Sequence, residues 1–150
     1  SLAISIASIF LSLNSILFEK NIIEEVANIY GSQSITVIIL AKFINNEWFA
    51  FSDMARKNSG IRVKEWIKEC IKRGAGEIVV IDVDRDGTCK GLNFDLIDYV
   101  NILDKPTVFG GGFNPSIDTK GIMSRSIDGI SFANYIYKNE FDLKSFKFNF

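Results

Sequence analysis

The run Glu77-Ile78-Val79-Val80-Ile81-Asp82-Val83, closed by Asp84-Arg85-Asp86-Gly87-Thr88, is the stretch on which the fold turns. Its apolar core is β-branched and shows no polar alternation, which predicts a strand buried on both faces in a parallel sheet. Just upstream, Val63, Trp66, Ile67, Cys70 and Ile71 recur at i, i+3, i+4, i+7 and i+8, with Lys64, Glu65, Lys68 and Glu69 opposite them. That spacing predicts an amphipathic helix. Lys72 and Arg73 suit its C-terminal dipole, and Gly74 suits its cap. Just downstream, Asn93 caps a predicted helix that turns Phe94, Ile97 and Val100 inward.

The alternation continues in both directions. Glu19 to Tyr30 places Ile22, Ile23, Val26 and Tyr30 on one helical face, and Gly31 stops it. Ser34 to Ala41 is a second β-branched run and a second predicted buried strand. Phe43 to Phe51 reads as a hairpin arm turning at Asn45-Asn46, because asparagine tolerates positive φ. Met54 to Gly60 is polar and reads as a loop. Pro106 to Phe109 is a short predicted strand before Gly110-Gly111-Gly112, and Asn114-Pro115 pairs an N-cap with proline at the first helical position. Gly129 to Tyr137 reads as the last strand. The pattern βαβαβαβ with short connections predicts an α/β fold with parallel strands and right-handed crossovers. Periodicity leaves open whether the sheet is open or closed into a barrel. Either arrangement puts ligands at the carboxyl ends of the strands.

Composition narrows the chemistry. The chain has 150 residues, 47% of them hydrophobic, with 17 basic and 18 acidic side chains for a net charge of −1. This suits one packed domain and argues against nucleic acid as a partner, which needs a basic excess. There is no histidine, so histidine-dependent nucleophile systems and imidazole metal sites are excluded. Cys70 and Cys89 form no CxxC pair and read as core or loop residues. The expectation is no metal and no cofactor, with any catalysis from carboxylates, lysines, hydroxyls or backbone amides. Ser1 in place of Met suggests a processed, engineered or incomplete chain. Ser1 to Phe18 carries no charge and is long enough for a membrane span. Its scattered Ser1, Ser5, Ser8, Ser12, Asn14 and Ser15 suit a buried parallel strand with flanks equally well. The expected setting is the cytoplasm, without a membrane.

Phosphate-binding chemistry recurs at successive strand ends. In Asp86-Gly87-Thr88, glycine admits close backbone approach, while neighbouring amides and a hydroxyl can donate to phosphate oxygens. A plain Asp-Gly turn accounts for that tripeptide alone. Gly110-Gly111-Gly112 repeats the arrangement directly before a capped helix, whose first amides favour anions. Ala133-Asn134 adds a third polar strand end. Together they favour a phosphate site.

These motifs, in order, resemble the cyclase subunit of imidazole glycerol phosphate synthase. The resemblance rests on Gly74-Ala75-Gly76-Glu77-Ile78, then Asp84 to Thr88 with Gly91 beyond. It extends to Gly31-Ser32-Gln33, Lys57-Asn58-Ser59-Gly60 and Gly110 to Gly112, and covers about Ala7 to Tyr137. A branch associated with bacterial surface-polysaccharide gene sets is similar over the same motifs. The resemblance implies a (β/α)8 barrel, which needs roughly 250 residues. This chain would then be a single, incomplete domain holding about strands four to eight, with Leu11-Ser12-Leu13-Asn14 as the fourth. It implies two phosphate sites. Asp86, Gly87, Thr88, Gly111, Gly112, Ala133 and Asn134 match one of them, and Asn14 and Ser15 match part of the other.

The implied reaction joins ammonia, delivered by a glutamine amidotransferase partner, to a bisphosphorylated ribonucleotide, then closes an imidazole ring and splits the product. It is a lyase step of histidine biosynthesis. Two carboxylates facing across the barrel mouth serve it as acid and base. One lies on the first strand, outside this chain, and the other should be the Asp of Asp-Ala-Lys. Here that sequence is Leu40-Ala41-Lys42. Losing a positioned acid or base typically costs about two to four orders of magnitude in rate. Ile81 and Gly110 replace a usual threonine and serine, and Phe10 replaces a lysine of the charged ring that gates ammonia, whereas Glu77 of that ring is retained. Asp82 is an unexpected carboxylate; strand alternation turns it toward the helices, which predicts a structural role beside a helix-borne Lys or Arg, or near solvent, over a substitute base. The leading reading is therefore a cyclase-like protein, incomplete or impaired as it stands. Its rivals are a polysaccharide-pathway paralogue that passes on ammonia and a non-catalytic phosphate-binding or scaffold remnant that keeps the amidotransferase contact. Exposed strand edges and an uncovered inner face predict pairing with a missing half-barrel or self-association.

Overall fold

The computed structural model describes residues 9–12, 21–100, 105–125 and 127–139. Among the described residues, seven strands form one sheet: β1 (Ile9–Ser12), β2 (Ile35–Ile44), β3 (Glu47–Ser52), β4 (Lys57–Arg62), β5 (Glu77–Asp82), β6 (Thr107–Gly110) and β7 (Gly129–Ser131). Between them run α1 (Ile22–Tyr30), α2 (Val63–Lys72), α3 (Phe94–Val100), α4 (Pro115–Met123) and α5 (Asn134–Asn139). The parallel strands lie in the order β1-β2-β5-β6-β7, each beside its predecessor. A doubly wound sheet reverses its strand order at a switch point, and a (β/α)8 barrel does not. The sheet is part of such a barrel.

Alternation along β2 separates the two faces. Ile35, Val37, Ile39 and Ala41 are fully buried and join Ile78, Val80, Phe109 and the inward residues of the helices in one core. Thr36, Ile38, Leu40 and Lys42 take the opposite, inner face, level with Glu77, Val79 and Ile81 of β5 where they pair. The predicted α2 stripe lands as expected, with Val63, Trp66, Ile67 and Cys70 buried. In α1, Ile23 is buried, but Tyr30 is 59% exposed. Tyr30 is the last residue of that helix, next to Gly31.

The hairpin turns at Asn45 and Asn46, both at positive φ, as predicted. Two expectations fail nearby and at the far end. Met54 to Gly60 is not all loop: a turn at 53–56 leads into β4, which pairs antiparallel with β3. Its polar sequence hid it, because it lies at the edge of the sheet and its burial is only intermittent. Ser59 replaces lost ladder bonds beside the register shift, donating to the Ala50 carbonyl at 2.6 Å and accepting the Ile61 amide at 3.1 Å. The last predicted strand ends at Ser131, and α5 starts at Asn134. The aromatic, β-branched sequence there favours a strand by propensity, but tertiary contacts override it: the Asn134 side chain bonds across to Gly87, and Phe132 and Tyr135 pack on Phe113.

Candidate anion-binding site

Three loops at the carboxyl ends of β5, β6 and β7 converge on one pocket. Asp86, Gly87 and Cys89 come from the first, Gly111, Gly112 and Phe113 from the second, and residues 131–135 from the third. It is open to solvent on one side, and its volume of about 20 Å³ leaves room for one or two water-sized groups. That suits the oxygens of a small anionic group at its floor, with the remainder of a ligand outside.

Glycine is required where the strand β6 meets this floor. Gly111 and Gly112 have φ of 96° and 86°. A Cβ on Gly111 would stand 2.4 Å from the Asp82 carbonyl oxygen, and one on Gly112 would stand 2.6 Å from that of Gly91. The backbone therefore runs against the neighbouring loop with no room for a side chain, and bare peptide faces the pocket. Gly87 also has positive φ, at 74°.

The loops are bonded to each other. The Gly91 amide donates to the Gly112 carbonyl at 2.7 Å, and Asn114 Nδ2 donates to the Cys89 carbonyl at 3.0 Å. Arg85 Nη1 spans the Gly91 and Leu92 carbonyls at 3.2 and 2.8 Å. Asn114 also caps α4 as predicted, accepting the Ser116 amide at 3.0 Å ahead of Pro115. Asn134 Nδ2 donates to the Gly87 carbonyl and lies 3.7 Å from Cys89 Sγ.

Of the residues expected to hold phosphate, Asp86, Gly87, Gly111, Gly112, Ala133 and Asn134 line one pocket. Thr88 does not join them, since its hydroxyl donates to the Arg85 carbonyl at 2.7 Å. The Asp86 amide likewise donates back to the Asp82 carbonyl at 2.9 Å. Asn14 and Ser15 lie outside the described residues. Sequence reasoning missed Cys89, Phe113 and Tyr135 as pocket walls, and no spacing rule would have marked them.

Asp82 is 2% exposed. Its Oδ1 accepts the Asp84 and Arg85 amides at 3.0 and 3.3 Å, and its Oδ2 accepts Asn93 Nδ2 at 2.7 Å. It faces the helix side with Ile78 and Val80 and shapes the turn after β5, which is the expected structural role. The expected partner is corrected: in place of a helix-borne Lys or Arg, it has the α3 cap residue Asn93 and, at 4.0 Å, the loop residue Arg85. Buried carboxylates need such donors.

Leu40 occupies the inner face opposite Ile81, so no carboxylate stands at that level of β2. Two residues on, Lys42 pairs with Asp84 at 3.2 Å. Glu77 opens β5, about 16 Å from Asp82 at the other end of the strand. Its Oε2 accepts the Thr36 hydroxyl at 2.9 Å, at the register level that Phe10 shares. Among the described residues, no group of three or more His, Cys, Asp or Glu could hold a metal ion, and no helix is long and apolar enough to cross a membrane.

The family model described as "Histidine biosynthesis protein" matches residues 4–142. Similar curated proteins bear the name "Imidazole glycerol phosphate synthase subunit HisF". That of Thermotoga sp. (strain RQ2) is 31% identical over 128 residues, covering 85% of this chain and 51% of the relative. That of Helicobacter hepaticus is 31% identical over 139 residues, 91% of this chain and 55% of the relative. That of Sulfurisphaera tokodaii is 38% identical over 103 residues, 67% of this chain and 41% of the relative. The chain spans about half the length of the curated relatives it matches.

Proposed function

Because the chain belongs to the histidine biosynthesis protein family, we propose that it forms the phosphate-gripping part of a cyclase-like (β/α)8 barrel. The ligand is a phosphorylated small molecule. The observation that carries this reading is the convergence of three strand-end loops on one pocket floored by Gly111 and Gly112. Bare peptide at such a floor can reach phosphate oxygens that a side chain would hold away. In the full reaction, imidazole glycerol phosphate synthesis, a glutamine amidotransferase supplies ammonia from the opposite end of the barrel. Glu77, held by Thr36 at that end, is the residue we assign to the ammonia passage.

Leu40 favours a second reading, in which phosphate is bound without chemistry. A leucine transfers no proton, and Asp82, at the end of β5, has both oxygens occupied by protein donors. The test has two steps. Phosphorus NMR titration with inorganic phosphate should show saturable binding that Gly112→Ala abolishes; no binding by the unaltered chain sinks the site. Ammonia-dependent turnover is then measured with a complementary amino-terminal half-barrel supplied. Turnover that appears only in Leu40→Asp identifies an impaired cyclase, and none in either form favours the binding protein.

A further inference from the structure

Asp118 is fully buried in α4, and the phosphate-site reading leaves it without a role. Its Oδ1 accepts the Leu92 amide at 2.9 Å and its Oδ2 accepts the Asn114 amide at 2.7 Å. The two donors belong to different loops of the pocket. Leu92 lies in the connection from β5 to α3, and Asn114 in that from β6 to α4. Both oxygens are thus filled by backbone amides rather than by a cation.

Helix packing alone does not call for a carboxylate here. The other buried residue of α4 is Ile122, and an apolar side chain at 118 would fill the core without the desolvation cost of a charge. A carboxylate does what no apolar residue can: it accepts two amides arriving from separate chain segments. Gly91 makes room for it, since a Cβ there would stand 2.9 Å from Asp118 Oδ1. The carboxylate also fixes the backbone of Asn114, whose side chain in turn holds the Cys89 carbonyl at the pocket wall.

We propose that Asp118 is a positioning residue for the anion site, clamping the Gly87–Leu92 and Gly111–Asn114 segments at the separation at which both can face one ligand. The proposal rests on the phosphate reading. Asp118→Asn is the informative variant, because a carboxamide keeps one acceptor and presents an N–H to the other amide. The link between the two segments is then cut while the volume is conserved.

Phosphate affinity and amide hydrogen exchange are measured on the unaltered chain and on Asp118→Asn. Inorganic phosphate should bind the variant about tenfold more weakly or worse, the scale of losing one charge-assisted bond. Amides of both segments should exchange faster together while those of β2, β5 and β6 keep their protection. Unchanged affinity in a folded variant overturns the proposal, as does loosening confined to one segment. If the unaltered chain binds no phosphate, the site reading fails and the positioning role falls with it; faster exchange in both segments would then show a purely structural clamp. If the variant does not fold, exchange in the unaltered chain decides. The Leu92 and Asn114 amides should open with one common free energy, and separate opening refutes the clamp.

Discussion

A methyl group added at Gly111 would meet the Asp82 carbonyl oxygen, and the backbone there is left-handed as well. Gly111→Ala should therefore lower stability by about 2 kcal/mol or more, read as a fall in the urea midpoint. A loss below about 0.5 kcal/mol would show that the loop yields. The two cysteines offer a sharper contrast. Burial pushes the Cys70 thiol up to about 12, so at pH 8 only about one molecule in ten thousand carries the thiolate. Cys89 lines the pocket. Alkylation followed by mass spectrometry should label Cys89 in the folded protein, leave Cys70 unmodified, and slow at Cys89 when phosphate is present. Equal labelling of the two would contradict the burial of Cys70. The glycine run was legible because left-handed backbone has few other occupants. The bonds of Asp118 and Asn134 were not, because each reaches a loop distant in the chain.

Between elements, the hairpin is tied to the helices through one side-chain cluster. Tyr99 of α3 shares a hydrogen bond with Glu47 of β3, and the Lys64 ammonium of α2 lies 4.2 Å from the centroid of the Tyr99 ring. The two groups shift in the directions one shared bond requires: burial and then Glu47 push the Tyr99 phenol up to about 12, and the same bond holds Glu47 below the usual carboxylate range. A raised phenol contributes stability that is present in full below its ordinary value of 10.0 and is lost as pH rises toward about 12. Ultraviolet titration should show a late-ionising phenol that is absent in Tyr99→Phe, which should also be less sensitive to alkali between those values. Titration of every tyrosine near pH 10 would break this link. At this scale the helices were the most legible parts, since α2 carries a full apolar stripe and Asn114 a capping side chain. The strand β4 was not, because an edge strand is specified by its partner β3 more than by its own polar sequence.

For the whole molecule, periodicity left open whether the sheet is open or part of a barrel, and the unbroken order β1-β2-β5-β6-β7 together with the family match makes it part of a barrel. The inner face follows from that order. Ile38, Leu40, Ile81 and Val108 are only partly buried, while their neighbours on the helix side are sealed. The isolated 150-residue polypeptide should therefore associate, with itself or with an added complementary half-barrel. Sedimentation showing a monodisperse monomer with cooperative unfolding would refute this. Asn114→Ala should cost about 1 kcal/mol through its lost helix cap, and more if the bond to Cys89 also matters; thermal unfolding under one fixed set of conditions reads the difference.

The fastenings around the pocket differ in kind, and this bears on how quickly it exchanges its contents. The first two loops are joined by directional bonds at Gly91 and Asn114, which break abruptly and allow little travel. The third leans on Phe113 through the rings of Phe132 and Tyr135, with centroids 4.6 and 6.2 Å away. Rings in such tilted and edge-on contact shift with little penalty compared with stretching a hydrogen bond. Admission and escape of a ligand would thus be timed by the side that carries Asn134, whose release waits on its bond to the Gly87 carbonyl, while the other two loops stay linked to each other.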